Sequence, residues 1–154
     1  MHGTLKTGES EKARAAEIDR LADWIEAKRV EKTTEDKDLI VMGDFNIPSR
    51  DDPMFAAITK HGLKVPTPLL GTHGTNLEKD KRYDQILHHP IYPESFTKAG
   101  GSLNFFVNEK NIKQLFPGDL TKKKFTCQLS NHLPLWIQIN TATEGFKLEQ
   151  IVWG

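Results

Sequence analysis

The stretch that decides the fold is Leu39-Ile40-Val41-Met42-Gly43-Asp44-Phe45-Asn46. Four apolar residues run unbroken up to a glycine, which predicts a strand over 39–42 that is buried on both faces. Gly43 lets the chain turn off the strand, so Asp44 and Asn46 stand at a strand end. A carboxylate there can activate water or bind a hard cation, and an amide can donate to a phosphate oxygen. An Asp/Asn turn without any chemistry explains the same residues about equally well.

Helices are predicted on both sides of this strand. From Ser10 to Arg29 apolar residues recur at helical spacing, with acidic residues early and basic residues late, which suits the helix dipole. Ser10 is the predicted N-cap. Asp52 followed by Pro53 predicts the start of a second helix, which runs over 54–61. A helix before a buried strand indicates layered α/β architecture.

The remainder of the chain predicts strands joined by irregular segments. Strands are expected at 83–87, at 133–139 because its apolar residues alternate, and at the sheet edge over 146–153. Prolines and glycines make 63–81 and 89–101 irregular. We therefore expect one α/β domain that takes up the whole chain.

Composition excludes several classes of protein. The chain has 21 basic and 21 acidic residues, a balance that argues against a protein held to nucleic acid mainly by its net charge. A single cysteine, Cys127, allows no internal disulfide, which fits a reducing compartment. The N-terminus lacks the apolar core of a signal peptide, and no apolar run is long enough to cross a bilayer. We therefore expect a cytoplasmic globular protein.

Two later segments also place polar side chains at strand ends. Asp84 is the one acidic residue in 83–87 and would need a partner if it were buried. His132 stands just before the last apolar strand, where an imidazole can act as a general base or as a cation facing phosphate. Taken singly, each position also has an explanation without chemistry: Asp84 as an exposed residue on an edge strand, and His132 as a structural histidine. The other internal histidines lack such a context and are predicted at the surface: His61, His73, His88 and His89.

Taken in order, these segments resemble the endonuclease/exonuclease/phosphatase superfamily, which includes deoxyribonuclease I-like enzymes. The resemblance rests on Gly43-Asp44-Phe45-Asn46, Tyr83-Asp84-Gln85-Ile86 and Ser130-Asn131-His132-Leu133-Pro134, and on the helix with Arg14 and Glu17 that leads into the first of them. It implies the C-terminal half of a four-layer α/β sandwich, so that residues 1–154 form a single truncated domain. The implied activity is metal-dependent hydrolysis of phosphate esters.

The resemblance also implies a role for each residue. Asp44 would orient or deprotonate the attacking water and is a candidate metal ligand, and Asn46 would hold a phosphate oxygen. Asp84 would fix the tautomer of His132, which would act at the scissile phosphate as base or as charge stabiliser. The implied cofactor is Mg²⁺, with Mn²⁺ as the alternative. Asn131, a weak ligand, stands where the family carries an Asp near the metal, so we expect a lower metal affinity.

Part of the family's site belongs to its N-terminal half. That half supplies an early Asn and a metal-binding Glu, and a His precedes the first helix. His2 is the only candidate for this His, although the glycine at Gly3 favours a position before Met1. A half-sandwich would expose an apolar sheet face, through which the chain would associate. Three explanations stay open: a fragment of a longer gene product, a missing half supplied by another chain, or a remnant that folds alone as a non-catalytic binding module.

The sequence says less about the substrate than about the reaction. Two basic groups, at 79–82 and 122–124, precede Asp84 and His132 and would suit a polyanion, although a solvated charge run is the commoner explanation. We favour DNA, while RNA, phosphoinositides, sphingomyelin and small phosphate esters stay open. An unrelated α/β domain whose motifs agree by chance is the remaining alternative.

Overall fold

The computed structural model describes residues 7–32, 39–90, 95–104, 110, 114, 118 and 121–140. In chain order the elements are helix α1 (Thr7–Val30), strand β1 (Ile40–Asp44), helix α2 (Pro53–Ile58), a 3₁₀ turn (Thr67–Leu69), strands β2 (Asp84–His88) and β3 (Phe96–Ser102), helix α3 (Lys122–Gln128) and strand β4 (Leu135–Ile139). β1 pairs with β2, and β3 pairs with β4, both antiparallel. The architecture is mixed α/β with small antiparallel sheets.

Helix α1 packs its predicted apolar stripe into the main core. Ile18, Ala22 and Ile25 are buried there, together with four residues from the rest of the chain: Ile47, Ile58, Leu63 and Leu87. The predicted N-cap at Ser10 is wrong, because the helix already begins at Thr7. The extra turn includes Gly8, whose cost inside a helix is only about 1 kcal/mol.

Among the described residues, no helix combines the length and apolar character that crossing a bilayer requires.

Strand β1 is buried on one face only, which corrects the prediction of burial on both. Val41 packs against the core, whereas the next side chain, Met42, is 69% exposed. Alternate side chains of a strand point to opposite faces. In the part of the chain that the structure describes, β1 pairs with β2 alone, and the helices cover one side of this pair.

Helix α2 begins as predicted and ends earlier. The Asp52 carboxylate accepts a hydrogen bond from the Met54 amide at 2.8 Å, which confirms the N-cap. The helix ends at Ile58 rather than at His61. The Thr59 hydroxyl donates to the carbonyl three or four residues back, a local bond that competes with a further helical turn.

A strand lies where the sequence predicted a loop. β3 pairs with β4 from Phe96 to Ser102, with a register shift between Phe96 and Gly100. A Cβ on Gly100 would lie 3.0 Å from the Trp136 carbonyl oxygen and 2.9 Å from Pro68 Cβ, so this close approach needs a glycine. The glycines and the register shift removed the alternation that reveals a strand. The predicted strand at 146–153 lies outside the described residues.

Candidate active site at Asp44, Asp84 and His132

Asp44 and Asp84 stand opposite one another on the first sheet. Asp44 ends β1, Asp84 begins β2, and their Cα atoms are partners in the register. Asp44 Oδ1 accepts a hydrogen bond from the Asn46 amide at 2.9 Å, in a turn where Asn46 has a φ of 52°. Asn tolerates this left-handed conformation better than most residues. Because like charges directly opposite one another destabilise a sheet, the pair needs a donor or a positive charge nearby.

His132 supplies that donor. Its Nδ1 lies 2.8 Å from Asp84 Oδ2 and 4.0 Å from Asp44 Oδ2. An ionised carboxylate can only accept, so Nδ1 carries the proton and Nε2 is left to take up a second one. One ligand atom from each of the three residues lies within 4.8 Å of the others. We call Asp44, Asp84 and His132 the carboxylate–histidine cluster.

A single threonine links the two segments that carry this contact. The Thr75 hydroxyl oxygen accepts from the Asp84 amide at 3.1 Å, and its carbonyl accepts from the Leu133 amide at 2.5 Å. The Tyr83 ring stacks on the imidazole of His132, with centroids 5.7 Å apart and planes at 27°. Thr75 is 2% exposed, so both of its bonds are shielded from water. These contacts hold the imidazole in one orientation.

Sequence reasoning missed Thr75 and the stacking role of Tyr83. Thr75 lies in the stretch 63–81, which composition marks only as irregular, and no local signal sets it apart from the other threonines. Tyr83 adjoins Asp84 in sequence. An aromatic residue beside a candidate His partner was therefore a usable signal.

The remaining predicted site residues lie around the cluster. Asn46 is exposed one short turn beyond Asp44. Asn131 is exposed as well, and its amide forms no hydrogen bond with the described residues of the cluster, while its backbone carbonyl accepts from Leu77 at 3.1 Å. His2 lies outside the described residues.

A cleft of about 620 Å³ adjoins the cluster, and Asn46 and Tyr83 form part of its wall. Its charged lining is mixed: Lys12 and Arg14 are basic, and Glu11 and Asp52 are acidic. Arg14 Nε is buried without a hydrogen-bond partner among the described residues. A buried donor without a partner costs on the order of 1–3 kcal/mol. An anionic group in the cleft would satisfy this donor.

The basic run at 122–124 is used partly for structure. Lys122 Nζ donates to Glu78 at 2.6 Å and lowers the pKa of that carboxyl, so the contact ties α3 to the 74–81 loop. Lys123 and Lys124 are exposed. The run is therefore a largely solvated group with one ion pair.

One surface prediction for histidine is wrong. His88 is 6% exposed, and its ring centroid lies 4.1 Å from that of Phe96. His88 is the last residue of β2, where it pairs with Ile40 of β1 on one side and forms an isolated β-bridge with Lys64 on the other. The sequence did not indicate this placement. His61 and His73 are exposed as predicted, and His89 is half-buried.

The donor set fits a hard divalent cation in part. Mg²⁺ in proteins takes one or two carboxylates and completes its shell with water and substrate phosphate. Among the described residues, His132 engages Asp84 Oδ2 and the Asn46 backbone amide engages Asp44 Oδ1, so each carboxylate keeps one oxygen for a cation. No glutamate of the described residues joins the cluster.

Comparisons of the chain with protein-family models, with curated proteins and with solved structures found no match.

Proposed function

We propose that this chain is a metal-dependent phosphoesterase, specifically a phosphodiester hydrolase of the nuclease type. The observation that carries the proposal is the 2.8 Å contact between Asp84 Oδ2 and His132 Nδ1, with Asp44 4.0 Å from the same nitrogen. The residues come from three separate segments, 48 positions apart in the case of Asp84 and His132. Hydrolysis of an anionic ester needs an activated water and positive charge at the phosphate, and this set offers both.

Each side chain would have a distinct task. His132, oriented by Asp84, would present Nε2 to the scissile phosphate as base or, once protonated, as charge stabiliser. Asp44 would orient the attacking water, and the side-chain amide of Asn46 would donate to a non-bridging phosphate oxygen. A bound Mg²⁺ or Mn²⁺ would polarise the phosphate and stabilise the leaving oxygen, with Asp44 as its ligand.

We extend the proposal to the endonuclease/exonuclease/phosphatase type. The chain would be a single truncated domain over residues 1–154, the C-terminal half of a four-layer α/β sandwich, and DNA would be the favoured substrate in the cytoplasm. The order of the three segments supports the family. The buried Arg14 Nε, which has no hydrogen-bond partner among the described residues, and Asn46 in the wall of the same cleft support an anionic group on the substrate.

Association through exposed apolar strand residues remains part of the proposal. Met42 of β1 and Trp136 and Ile139 of β4 are apolar strand residues with 40–69% of their surface exposed. Burial of such side chains against another chain, or against a missing half of the domain, would remove apolar surface from water.

The test is Mg²⁺-dependent hydrolysis of bis(4-nitrophenyl) phosphate and of plasmid DNA by the purified chain. We expect turnover that falls by about 10²-fold or more in His132→Ala and Asp44→Ala, the usual size of a general acid–base contribution. Asp51→Ala, an exposed carboxylate outside the cluster, is the matched control and should keep full activity. Absence of turnover with Mg²⁺ and Mn²⁺, or equal turnover in all variants, would contradict the proposal.

A non-catalytic binding module is the second candidate. It is favoured by the absence of a glutamate from the cluster among the described residues, and by the neutral Asn131. Such a module would bind a labelled oligonucleotide or inorganic phosphate without hydrolysing any ester. Hydrolysis that is lost in both cluster variants would exclude it.

A further inference from the structure

A second cavity lies at the far end of β2 from the cluster. It has a volume of about 840 Å³, within the range of roughly 300–1,000 Å³ usual for small-molecule sites. Asp84 begins β2 and belongs to the cluster, whereas His88 ends the strand and lines the cavity. The strand rises about 3.4 Å per residue, which places the two roughly 14 Å apart. The cavity is therefore separate from the candidate active site.

The wall of this cavity is mostly apolar. Two phenylalanine rings and three aliphatic side chains supply most of its apolar surface: Phe55, Phe96, Leu63, Val65 and Leu70. The neutral polar groups come from three threonines and His88. Apolar walls with a small number of polar groups are the usual construction of sites for organic ligands, because the walls supply affinity and the polar groups supply orientation. The aromatic rings would suit a flat ligand body.

The charged groups of the wall are all cationic. Arg50, Lys64 and Lys98 line the cavity, and no carboxylate belongs to the described part of its wall. The Arg50 guanidinium donates to the carbonyls of Leu69 and Leu70, at 2.7 Å and 2.8 Å, and pairs with no carboxylate of the described residues. Its Nε is buried without a partner there, and burial lowers the pKa of Arg50. Arg50 is thus a half-buried cation without a counter-charge among the described residues, and a bound anion would stabilise it.

We propose that this cavity binds a small aromatic anion. The anionic group would lie toward Arg50, Lys64 and Lys98, and the ring would pack against Phe55 and Phe96. The inference rests on the charge and apolar character of the wall and is independent of the phosphoesterase proposal.

The probe is 8-anilinonaphthalene-1-sulfonate, compared with the neutral N-phenyl-1-naphthylamine. We expect saturable binding of one sulfonate per chain. The Kd should rise about tenfold when Lys64→Gln and Lys98→Gln are combined, because the variant loses two ion pairs with the ligand, each as weak as a solvent-exposed ion pair. The matched control combines Lys123→Gln and Lys124→Gln. It removes the same charge from exposed positions of α3 and should leave the Kd unchanged.

Two results would overturn the inference. One is equal affinity for the neutral and the anionic probe, or an equal Kd in both double variants. The other is a set of amide chemical-shift changes on titration that centres on the exposed Met42 and Trp136 rather than on Val65 and Thr97, because it would show adsorption to exposed apolar surface. Both lysines of the test variant are exposed, so a thermal melt is expected to show an intact fold.

Discussion

Asp84 illustrates, at the scale of the residue, a side chain that would act through another. It would not touch substrate, because its carboxylate is turned to His132 Nδ1 and its backbone amide to Thr75. In the proposed reaction it would be a positioning residue, which a substitution that preserves its shape can test. In Asp84→Asn the amide oxygen can still accept from Nδ1, but the negative charge that stabilises the protonated ring is lost.

We expect Asp84→Asn to lower kcat by about 10²-fold while KM stays nearly constant, because the loss concerns proton transfer rather than substrate binding. Steady-state kinetics with bis(4-nitrophenyl) phosphate measure the two parameters. Asp51→Asn is the control for the removal of one exposed carboxylate. A rise in KM at constant kcat would show that Asp84 contributes to binding instead.

At the scale of elements, the loop 74–81 brings Thr75 to the cluster. The loop folds back on itself, since the Gly74 amide donates to Lys79 O at 2.9 Å and the Thr75 amide to Lys81 O at 2.6 Å. The Asn76 side-chain oxygen accepts from the amides of residues 80 and 81. An irregular segment is in this way tied together by its own hydrogen bonds, and it carries the threonine that links Asp84 to the His132 segment.

The loop depends on the absence of a side chain at Gly74. A Cβ there would lie 2.5 Å from both the nitrogen and the oxygen of Lys81, which are backbone atoms and cannot rotate away. We expect Gly74→Ala to destabilise the fold by about 1–3 kcal/mol, the usual cost of overpacking, in a urea unfolding experiment. Gly71→Ala is the matched control, with no atom within 4 Å of its Cβ, and should stay within about 0.5 kcal/mol of the parent. Equal stability of the two variants would contradict this account.

At the scale of the whole molecule, ion pairs join α1 to the turn after α2. Lys60 Nζ lies 2.6 Å from Asp19 and 2.8 Å from Asp23, and His61 Nε2 lies 2.7 Å from Asp23. Hydrogen bonds from His61 and then from Lys60 lower the pKa of Asp23 below its ordinary value of 3.8. A carboxyl with a lowered pKa adds stability above its ordinary value and loses it as the pH falls through the folded-state value.

Asp23→Asn should therefore melt at a lower temperature than the parent at pH 6 to 7, and the difference should shrink as the pH falls below the ordinary value of 3.8 and through the lowered folded-state pKa. The side chains are exposed, so we expect a small effect that added salt weakens. Thermal melts from pH 2 to 7 measure it. Glu11→Gln, an exposed carboxylate of the same helix, should show no such pH dependence. A difference that persists at pH 2 would assign the effect to packing.

Much of the local structure could be predicted from the sequence. The 3.6-residue apolar spacing of α1, the Asp52 cap of α2 and the apolar core of β2 are signals carried by neighbouring residues. Asp44, Asp84 and His132 could be nominated as well, since each lies in a short motif that ends or precedes an apolar run. The class of mixed α/β structure follows from these elements.

Only the tertiary structure decided which of these residues meet. The 2.8 Å contact of Asp84 with His132 joins segments 48 positions apart, and the Thr75 bonds come from a segment without a pattern. The exposure of Met42 and the pairing of β3 depended likewise on which neighbour covers each strand. Periodicity and capping record interactions between residues a few positions apart, whereas burial and long-range hydrogen bonds depend on how the completed elements pack. The motifs therefore nominated the cluster residues, and packing brought them within hydrogen-bond reach.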